Sequence, residues 1–451
     1  MALTGIQILK MLPKTNCGEC GIPTCLAFGM KVAAGQMEID KCPYVSDEAK
    51  ETIGEASAPP IRTVKFGGGD GTISVGGETC LYRHEKRFEN PTGIGVLIST
   101  DMDEDAVAGR IDRFNNLRFD RVGVLMKADI IAIKDSSGKE DDFTALVQKV
   151  LDGAADSSLI LISENPKLLA AGAKICGDRT PLLFGANTEN SDAMAEVAKE
   201  SSCPLGVQGQ NLDDTVSITE KLIGAGLKDM VIDTGARTMQ AALEDNVVAR
   251  RAAVTKKFKP LGFPTIAFPC EMTDDSLMET MIASVLIAKY AGIVILSDLQ
   301  GDTLFPLFLE RLNLFTDPQR PMVVKEDIYA IGGPDENAPV LITCNFSLTY
   351  FIVSGEIEGS KVPSWLLIKD TEGLSVLTAW AAGKFGADLI ALFIKKSGIE
   401  DKVKHRELII PGYLATIKGE LEEELPDWTI TIGPREAGHM PAFLKEWKPA
   451  A

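Results

Sequence analysis

The sequence predicts a multidomain α/β protein. It should hold a small cysteine-bearing N-terminal domain, a (β/α)8 TIM barrel and a smaller, Rossmann-like α/β domain. Three observations predict this. Four of the nine cysteines fall within the first 42 residues. Eight short apolar runs alternate with amphipathic, helix-length segments between residues 93 and 316. A shorter alternation of the same kind occupies residues 325–446.

The chain has 451 residues, beyond the ~250–300 at which a single core stops growing, so several domains are expected. The apolar fraction of 45% and the charged fraction of 24% are those of a globular protein, not a disordered one. Asp and Glu number 64 against 46 Lys and Arg, a net charge of −18. That excess repels nucleic acid and anionic membrane surfaces and suits docking to protein partners. The opening MALTGIQILKMLPK is interrupted at Lys10 and is too short for a signal peptide. The most apolar stretch, Met281 to Leu296, carries Lys289 in its middle and falls short of the ~20 residues of a membrane span. A cytoplasmic location is expected, where cysteines are not paired as disulfides.

Residues 1–58 carry Cys17, Cys20, Cys25 and Cys42 in the pattern C-x2-C-x4-C-x16-C, with Pro43 after the last. Thiolates are soft ligands for iron–sulfur clusters or zinc. Zinc sites usually pair two C-x2-C units or mix Cys with His. Three ligands on one tight loop with a fourth from a distance suit a cubane [4Fe–4S] cluster, and a Cys-Pro final ligand recurs in ferredoxins, although the spacing is not a ferredoxin's. Gly18, Gly21 and Pro23 let the loop turn and aim amides at sulfur. Zinc and free redox-sensing thiols are the alternatives. The remaining cysteines, Cys80, Cys176, Cys203, Cys270 and Cys344, stand singly and read as small core side chains.

Residues 59–92 form a linker or hairpin arm, marked by Ser57-Ala58-Pro59-Pro60 and Gly67 to Gly71. In 93–316 the apolar runs are Ile94–Ile98, Ile130–Ile133, Leu159–Ile162, Leu182–Phe184, Leu205–Val207, Met230–Ile232, Thr265–Phe268 and Ile293–Leu296. They read as strands buried on both faces. Val122–Met126 is a ninth run that spoils the count, and an open α/β sheet is the alternative architecture. In a barrel the functional ends would be Ser99-Thr100-Asp101, Lys134-Asp135, Ser163-Glu164-Asn165, Asn187-Thr188, Gln208-Gly209-Gln210, Asp233-Thr234, Glu271 and Ser297-Asp298. They could pocket a heterocycle such as a pterin. The default reading is a solvated rim of helix N-caps.

A seam at Asp317 to Pro321 and Gly332-Gly333-Pro334 precedes 325–446. There Val340–Thr343, Trp365–Ile368, Leu408–Ile410 and Thr429–Ile432 read as strands, Leu374–Lys384 and Tyr413–Glu424 as helices, and Ala387–Lys395 as either. The turn Asp370-Thr371-Glu372-Gly373 leaves free amides at the carboxyl edge of the sheet, where open α/β sheets bind ligands. No nucleophile, zinc-protease, P-loop or dinucleotide motif occurs, and three histidines (His84, His405, His439) leave little for histidine-based acid–base chemistry.

NCGECGIPTC at 16–25, CPYVSDEA at 42–49, GGETCLYRHEKRF at 76–88 and IKDTEGLSVLTAWAAGKF at 368–385 together resemble the large-subunit family of corrinoid iron–sulfur proteins of the reductive acetyl-CoA (CO dehydrogenase/acetyl-CoA synthase) pathway. The resemblance implies a [4Fe–4S] cluster on Cys17, Cys20, Cys25 and Cys42. It implies a cobalamin-type corrinoid held non-covalently by the C-terminal domain against the barrel of a homologous small subunit, forming a heterodimer. By position its contacts are Val340, Thr343, Phe346, Asp370, Thr371, Glu372, Gly373, Leu374, Ser375, Ile432 and Gly433. The implied function is methyl carriage. Co(I) accepts the group from methyltetrahydrofolate on a methyltransferase and donates it to acetyl-CoA synthase, while the cluster, fed by a low-potential donor, reduces cobalt that has slipped to Co(II). The D-x-H-x-x-G motif of many corrinoid domains is missing, so a base-off corrinoid with no protein ligand on cobalt is expected. A methyl-pterin-binding methyltransferase working through its own barrel, and a cluster-only electron-transfer subunit, are the other readings.

Overall fold

The computed structural model describes residues 3–33, 36–121, 124–318 and 321–448. The chain divides into two compact units, 1–119 with 127–315, and 120–126 with 316–451. Among the described residues no helix is long and apolar enough to cross a membrane.

The first unit begins with three helices, α1 (Gly5–Met11), α2 (Cys25–Ala33) and α3 (Asp47–Ser57). Thr4 and Gln7 close a capping box on α1, and Ser46 caps α3. Ile8, Phe28, Val32, Ile39, Val45 and Ile53 bury a core together with Cys25 and Cys42. A Cβ on Gly29 would lie 3.0 Å from the Gly5 carbonyl oxygen, so the first two helices cross almost backbone to backbone.

Next comes an antiparallel hairpin, β1 (Thr63–Phe66) with β2 (Ile73–Gly76). Val64, Phe66 and Val75 join the core inside the barrel. The Gly67 amide donates to the Thr180 carbonyl at 2.7 Å, and Ser158 at the start of a barrel strand bonds Gly71. The hairpin therefore plugs the end of the barrel where its strands begin. A buried ion pair follows it. Arg250 donates to Glu78 at 3.0 Å and to the Cys80 carbonyl at 2.9 Å, and stacks on Phe88 and Tyr290.

After the arm the chain runs β3 (Gly93–Ser99), α4 (Glu104–Asn116), β4 (Phe119–Arg121), β5 (Val124–Met126), β6 (Ile130–Lys134), α5 (Glu140–Gly153), β7 (Ser158–Ile162), α6 (Pro166–Cys176), β8 (Leu182–Ala186), α7 (Ser191–Ser201), β9 (Leu205–Gln208), α8 (Leu212–Gly224), β10 (Met230–Asp233), α9 (Met239–Lys256), β11 (Thr265–Ala267), α10 (Ser276–Ala288), β12 (Ala291–Leu296) and α11 (Gly301–Leu314). Eight strands close in the order β10-β11-β12-β3-β6-β7-β8-β9, and every pairing is parallel. The eight apolar runs are these eight strands, which removes the open-sheet alternative for this region. Of the ninth run, residues 122 and 123 lie outside the described residues. Val124–Met126 pairs with β4 in a separate two-stranded sheet. Ile130, Ala132, Ile160, Ile162, Phe184, Val231 and Ile295 fill the interior. A Cβ on Gly95 would sit 2.8 Å from Ile295 and 2.9 Å from Ile130, so this glycine makes room for both isoleucines.

The second unit is an open sheet built from β13 (Asp327–Ile331), β14 (Val340–Cys344), α12 (Ser347–Ser360), β15 (Ser364–Lys369), α13 (Val376–Ala381), α14 (Ala387–Ser397), β16 (Glu407–Ile410), α15 (Lys418–Glu424), β17 (Thr429–Ile432) and α16 (Met440–Glu446). Its order is β13-β15-β14-β16-β17, parallel except for the antiparallel edge strand β13. Successive residues of the strands face two cores. Val340, Ile342, Leu408 and Ile410 pack with Ile390, Ile394 and Leu421 on one face. Leu341, Leu366, Ile368 and Ile409 pack with Ile357 and Leu444 on the other. Helices thus cover both faces, as a doubly wound sheet requires. The undecided segment Ala387–Lys395 is helix, and the segment 413–424 is a 3₁₀ turn (Gly412–Ile417) followed by α15.

Candidate cofactor sites

The four clustered cysteines are free thiols. Cys25 and Cys42 are buried in the N-terminal core, Cys20 packs against that core half-buried, and Cys17 is exposed. Gly18 (φ +75°) and Gly21 (φ +81°) turn the loop between Cys17 and Cys25, and a side chain on either would meet no neighbour. Backbone conformation therefore selects glycine there. Asn16 accepts the Cys25 amide at 2.8 Å, and the Gly21 amide is spent on the Gly18 carbonyl at 2.9 Å. Tyr44 donates to Glu19 at 2.9 Å. That bond and the Glu19 charge push its hydroxyl above the usual tyrosine value, with smaller contributions from burial and from Cys17 and Cys42. Among the described residues no three Cys, His, Asp or Glu side chains are drawn into metal-ligating geometry. The donor set itself, four thiols on a turn and a neighbouring core, suits an iron–sulfur cluster.

In the second unit, β14 pairs with both β15 and β16. The chain leaves β14 toward one side and returns to the other, so the order reverses between β14 and β16. Ligands bind beyond the carboxyl ends of strands at such a switch point. A cavity of about 340 Å³ opens there. Ile342 and Thr343 from β14, Ser375 to Leu377, Ile410, Pro411 and Tyr413, and Gly433 to Ala437 contribute to its lining. Two glycines shape it. A Cβ on Gly412 would come within 2.5 Å of the Gly433 carbonyl, and a Cβ on Gly433 within 3.0 Å of the Ile410 carbonyl. Tyr413 donates to Glu436 at 2.7 Å, joining the ends that follow β16 and β17. Leu348, Ile352, Leu377, Trp380, Tyr413 and Ile432 are large side chains left exposed in this unit.

Of the residues singled out from sequence, Thr343, Ser375 and Gly433 line this cavity. Ile432 is exposed beside Gly433. Phe346 caps α12 and bridges Val323. Val340 is fully buried in the core at the opposite end of β14 and does not reach the cavity. Leu374 packs against the same core. Asp370 to Gly373 form the turn after β15, but its amides are not free. Thr371 and Gly373 donate to Asn345, Glu372 to Asp370, and Asp370 to Glu326. The expected amide cradle is corrected to a self-satisfied turn, because Asn345 and two carboxylates consume its donors. Sequence reasoning missed the α12 residues Thr349, Ile352 and Val353, and the Pro411–Tyr413 segment after β16. The latter was readable as the carboxyl end of a strand that had itself been found.

The barrel holds a second cavity, about 360 Å³, among the carboxyl ends of its strands. It gathers Lys134, Asp135, Ser163, Glu164, Asn165 and Gln208 with Arg237 and Glu271. Glu271 takes Lys134 at 2.8 Å and Arg237 at 2.6 Å, and Arg237 also grips Asp233. Burial opposes the Arg237 charge, but Asp233 and Glu271 outweigh it and raise its pKa. Burial likewise pushes Glu271 up, and Lys134 and Arg237 overcome it to hold the carboxyl below its usual value. Other predicted ends are structural. Asn165 caps α6, Asp298 holds Arg113 through two bonds, and Ser297 bonds Glu279.

A family model described as CO dehydrogenase/acetyl-CoA synthase delta subunit matches residues 63–444, hence hairpin, barrel and open sheet. A second model, named for an Fe–S cluster, matches residues 12–44. Over 445 residues the chain is 43% identical to the corrinoid/iron–sulfur protein large subunit of Moorella thermoacetica, with 99% of both chains covered. It is 33% identical to the acetyl-CoA decarbonylase/synthase complex subunit gamma of Methanopyrus kandleri, covering 98% of both. The chain belongs to this corrinoid/iron–sulfur subunit family.

In this family member the five scattered cysteines are core or half-buried residues. Burial pushes Cys176 up to about 12, and burial followed by the Glu271 and Glu279 charges does the same to Cys270. A thiol held protonated is a poor nucleophile. In chain stripped of iron by a chelator, iodoacetamide at pH 8 should modify exposed Cys17 at least about a hundredfold faster than Cys176 or Cys270. Peptide mass spectrometry reads this out, and equal rates would contradict the burial pattern.

Proposed function

We propose that the chain is the methyl-carrying large subunit of a corrinoid/iron–sulfur protein. Cys17, Cys20, Cys25 and Cys42 hold a [4Fe–4S] cluster, and the cavity at the switch point of the C-terminal sheet holds a corrinoid. When bound, the corrinoid supplies a cobalt centre for accepting and releasing a methyl group, and the cluster supplies single electrons. The observation that carries the reading is the cavity of about 340 Å³ beyond β14 and β16, in a chain that also brings four thiols to one small module.

The chain's own residues do two things there. Ile352, Val353, Val376, Leu377 and Pro411 give an apolar wall that excludes water from one side of a macrocycle. Thr343, Ser375 and Tyr413 provide hydroxyls for its polar fringe. No histidine lines the cavity: His405 sits before β16, bonded to the Ala338 carbonyl at 2.9 Å, and His439 lies outside the lining. This supports a base-off corrinoid without a protein ligand on cobalt. The exposed apolar side chains of this unit fit a lid from the small subunit. The other partners of the reading are a methyltetrahydrofolate methyltransferase, acetyl-CoA synthase/CO dehydrogenase and a low-potential electron donor.

Ser375→Trp fills the cavity from a half-buried position. In the purified complex it should weaken corrinoid retention at least about tenfold while the unfolding midpoint stays within a few degrees. Unchanged retention would place the corrinoid elsewhere. The barrel-mouth cavity gives weight to a second reading, in which methyl-pterin binds there and the chain performs the transfer itself. Calorimetric titration with methyltetrahydrofolate separates the two: binding lost in Arg237→Ala favours the second, and none favours carriage.

A further inference from the structure

Asn345 follows β14 directly and is only 3% exposed. Its side-chain oxygen accepts the Thr371 amide at 3.0 Å, the Thr371 hydroxyl at 2.9 Å and the Gly373 amide at 3.0 Å. Its side-chain nitrogen donates to Asp370 at 2.7 Å, and the same Asp370 oxygen accepts the Glu372 amide at 2.9 Å. Three donors on one atom and a carboxylate on the other leave a single possible orientation for the amide. The turn it holds is not one the chain adopts by default. Glu372 has φ +56°, a left-handed conformation unusual for a residue with a Cβ, and Gly373 follows at φ +78°.

We infer that Asn345 is a positioning residue that pre-forms the Asp370–Leu374 turn, so that Ser375, the lining residue that follows the turn, is held in place for the corrinoid. The inference rests on the carrier reading above. The physical argument is preorganisation: a turn already locked needs no ordering when ligand arrives, so its entropic cost does not weaken binding. The lock also spends the turn's amides on Asn345 and Asp370. Asn345 reaches the turn from the end of the neighbouring strand β14, while the lining on this segment begins two residues beyond Gly373. It therefore acts through the turn and not by contact with ligand.

Three variants of the full chain, purified with its partner subunits, test this: Asn345→Ala, Asn345→Asp and the double variant Asn345→Asp with Asp370→Asn. The first leaves two buried amides without an acceptor, while the Thr371 hydroxyl keeps the Leu374 carbonyl at 2.9 Å. The second keeps the acceptor but sets two carboxylates face to face. The third restores the bond between the two side chains with donor and acceptor exchanged, but takes the acceptor from the Glu372 amide, so it should rescue in part. Two readouts are needed. In ligand-free chain, hydrogen exchange in peptides spanning 370–376 should be at least about tenfold faster in the two single variants and slower than either in the double. With corrinoid, measured by cobalt retention and by the Co(II) EPR lineshape, the single variants should release it at least about tenfold faster, with a broadened spectrum. The double variant should release it more slowly than either single variant. Unchanged exchange, or release from Asn345→Ala within about twofold of wild type, would overturn the inference while leaving the carrier reading intact. A wild-type complex that takes up no corrinoid would overturn the carrier reading and, with it, any ligand role for Asn345.

Discussion

Arg250→Ala should lower the unfolding free energy by about 3–5 kcal/mol. Arg250 and Glu78 are 3% and 6% exposed, and removing the guanidinium leaves a buried carboxylate without its ion-pair partner. The truncation would also remove the bond to the Cys80 carbonyl and the contacts with Phe88 and Tyr290 that tie the arm to α9. Burial already raises the Glu78 pKa, and Arg250 is the principal force opposing it. Without Arg250 the folded-state pKa rises further above the unfolded value. A group shifted in that direction contributes most below its unfolded pKa and loses the contribution as pH rises through the folded one. The deficit of Arg250→Ala should therefore widen from pH 5 to pH 8, and Glu78→Gln in the same chain should recover part of it. Denaturant titrations at several pH values check this. A deficit under about 1 kcal/mol, or one independent of pH, would show that the pair does not latch the arm.

Cys42→Ser should remove nearly all cluster iron, from about four atoms per chain to less than one. It should also loosen the N-terminal module, because Cys42 and Cys25 are part of the core formed by Ile8, Phe28 and Ile53. A hydroxyl cannot replace a thiolate as a soft ligand, and it adds a polar atom to an apolar site. The barrel core shares no residue with that module. Limited proteolysis should then cut within residues 3–58 while the barrel persists. Full iron content in the variant would assign the cluster to other ligands.

The barrel was legible because its strands are buried on both faces and read as uninterrupted Ile, Val and Leu runs. The closed order also explains why the run ending at Met126 is no barrel strand: Val124 and Leu125 are 44% and 54% exposed in a separate two-stranded sheet. Strand β13 was hidden since only Ile331 of Asp327–Ile331 is buried, and Gly332-Gly333 beside it looked like linker. Helix α12 gave no apolar period, because three of its four buried residues are serines. The cysteine spacing announced its chemistry directly. Asn345 carried no motif at all: its partners lie 25 to 28 positions away and meet it only when β14 and β15 pair. The turn it locks was found, but its amides were assigned outward.

The charge of −18, which at first only excluded nucleic acid, fits a carrier whose work consists of visiting protein partners. That account stands or falls on what the chain carries. Cobalt and iron should be measured by elemental analysis on the anaerobically purified complex, beside the Ser375→Trp and Cys42→Ser variants. The account predicts about one cobalt and four irons per chain in the wild type, cobalt alone lost in the first variant and iron alone lost in the second. Iron without cobalt in the wild type, or cobalt indifferent to Ser375→Trp, would contradict it.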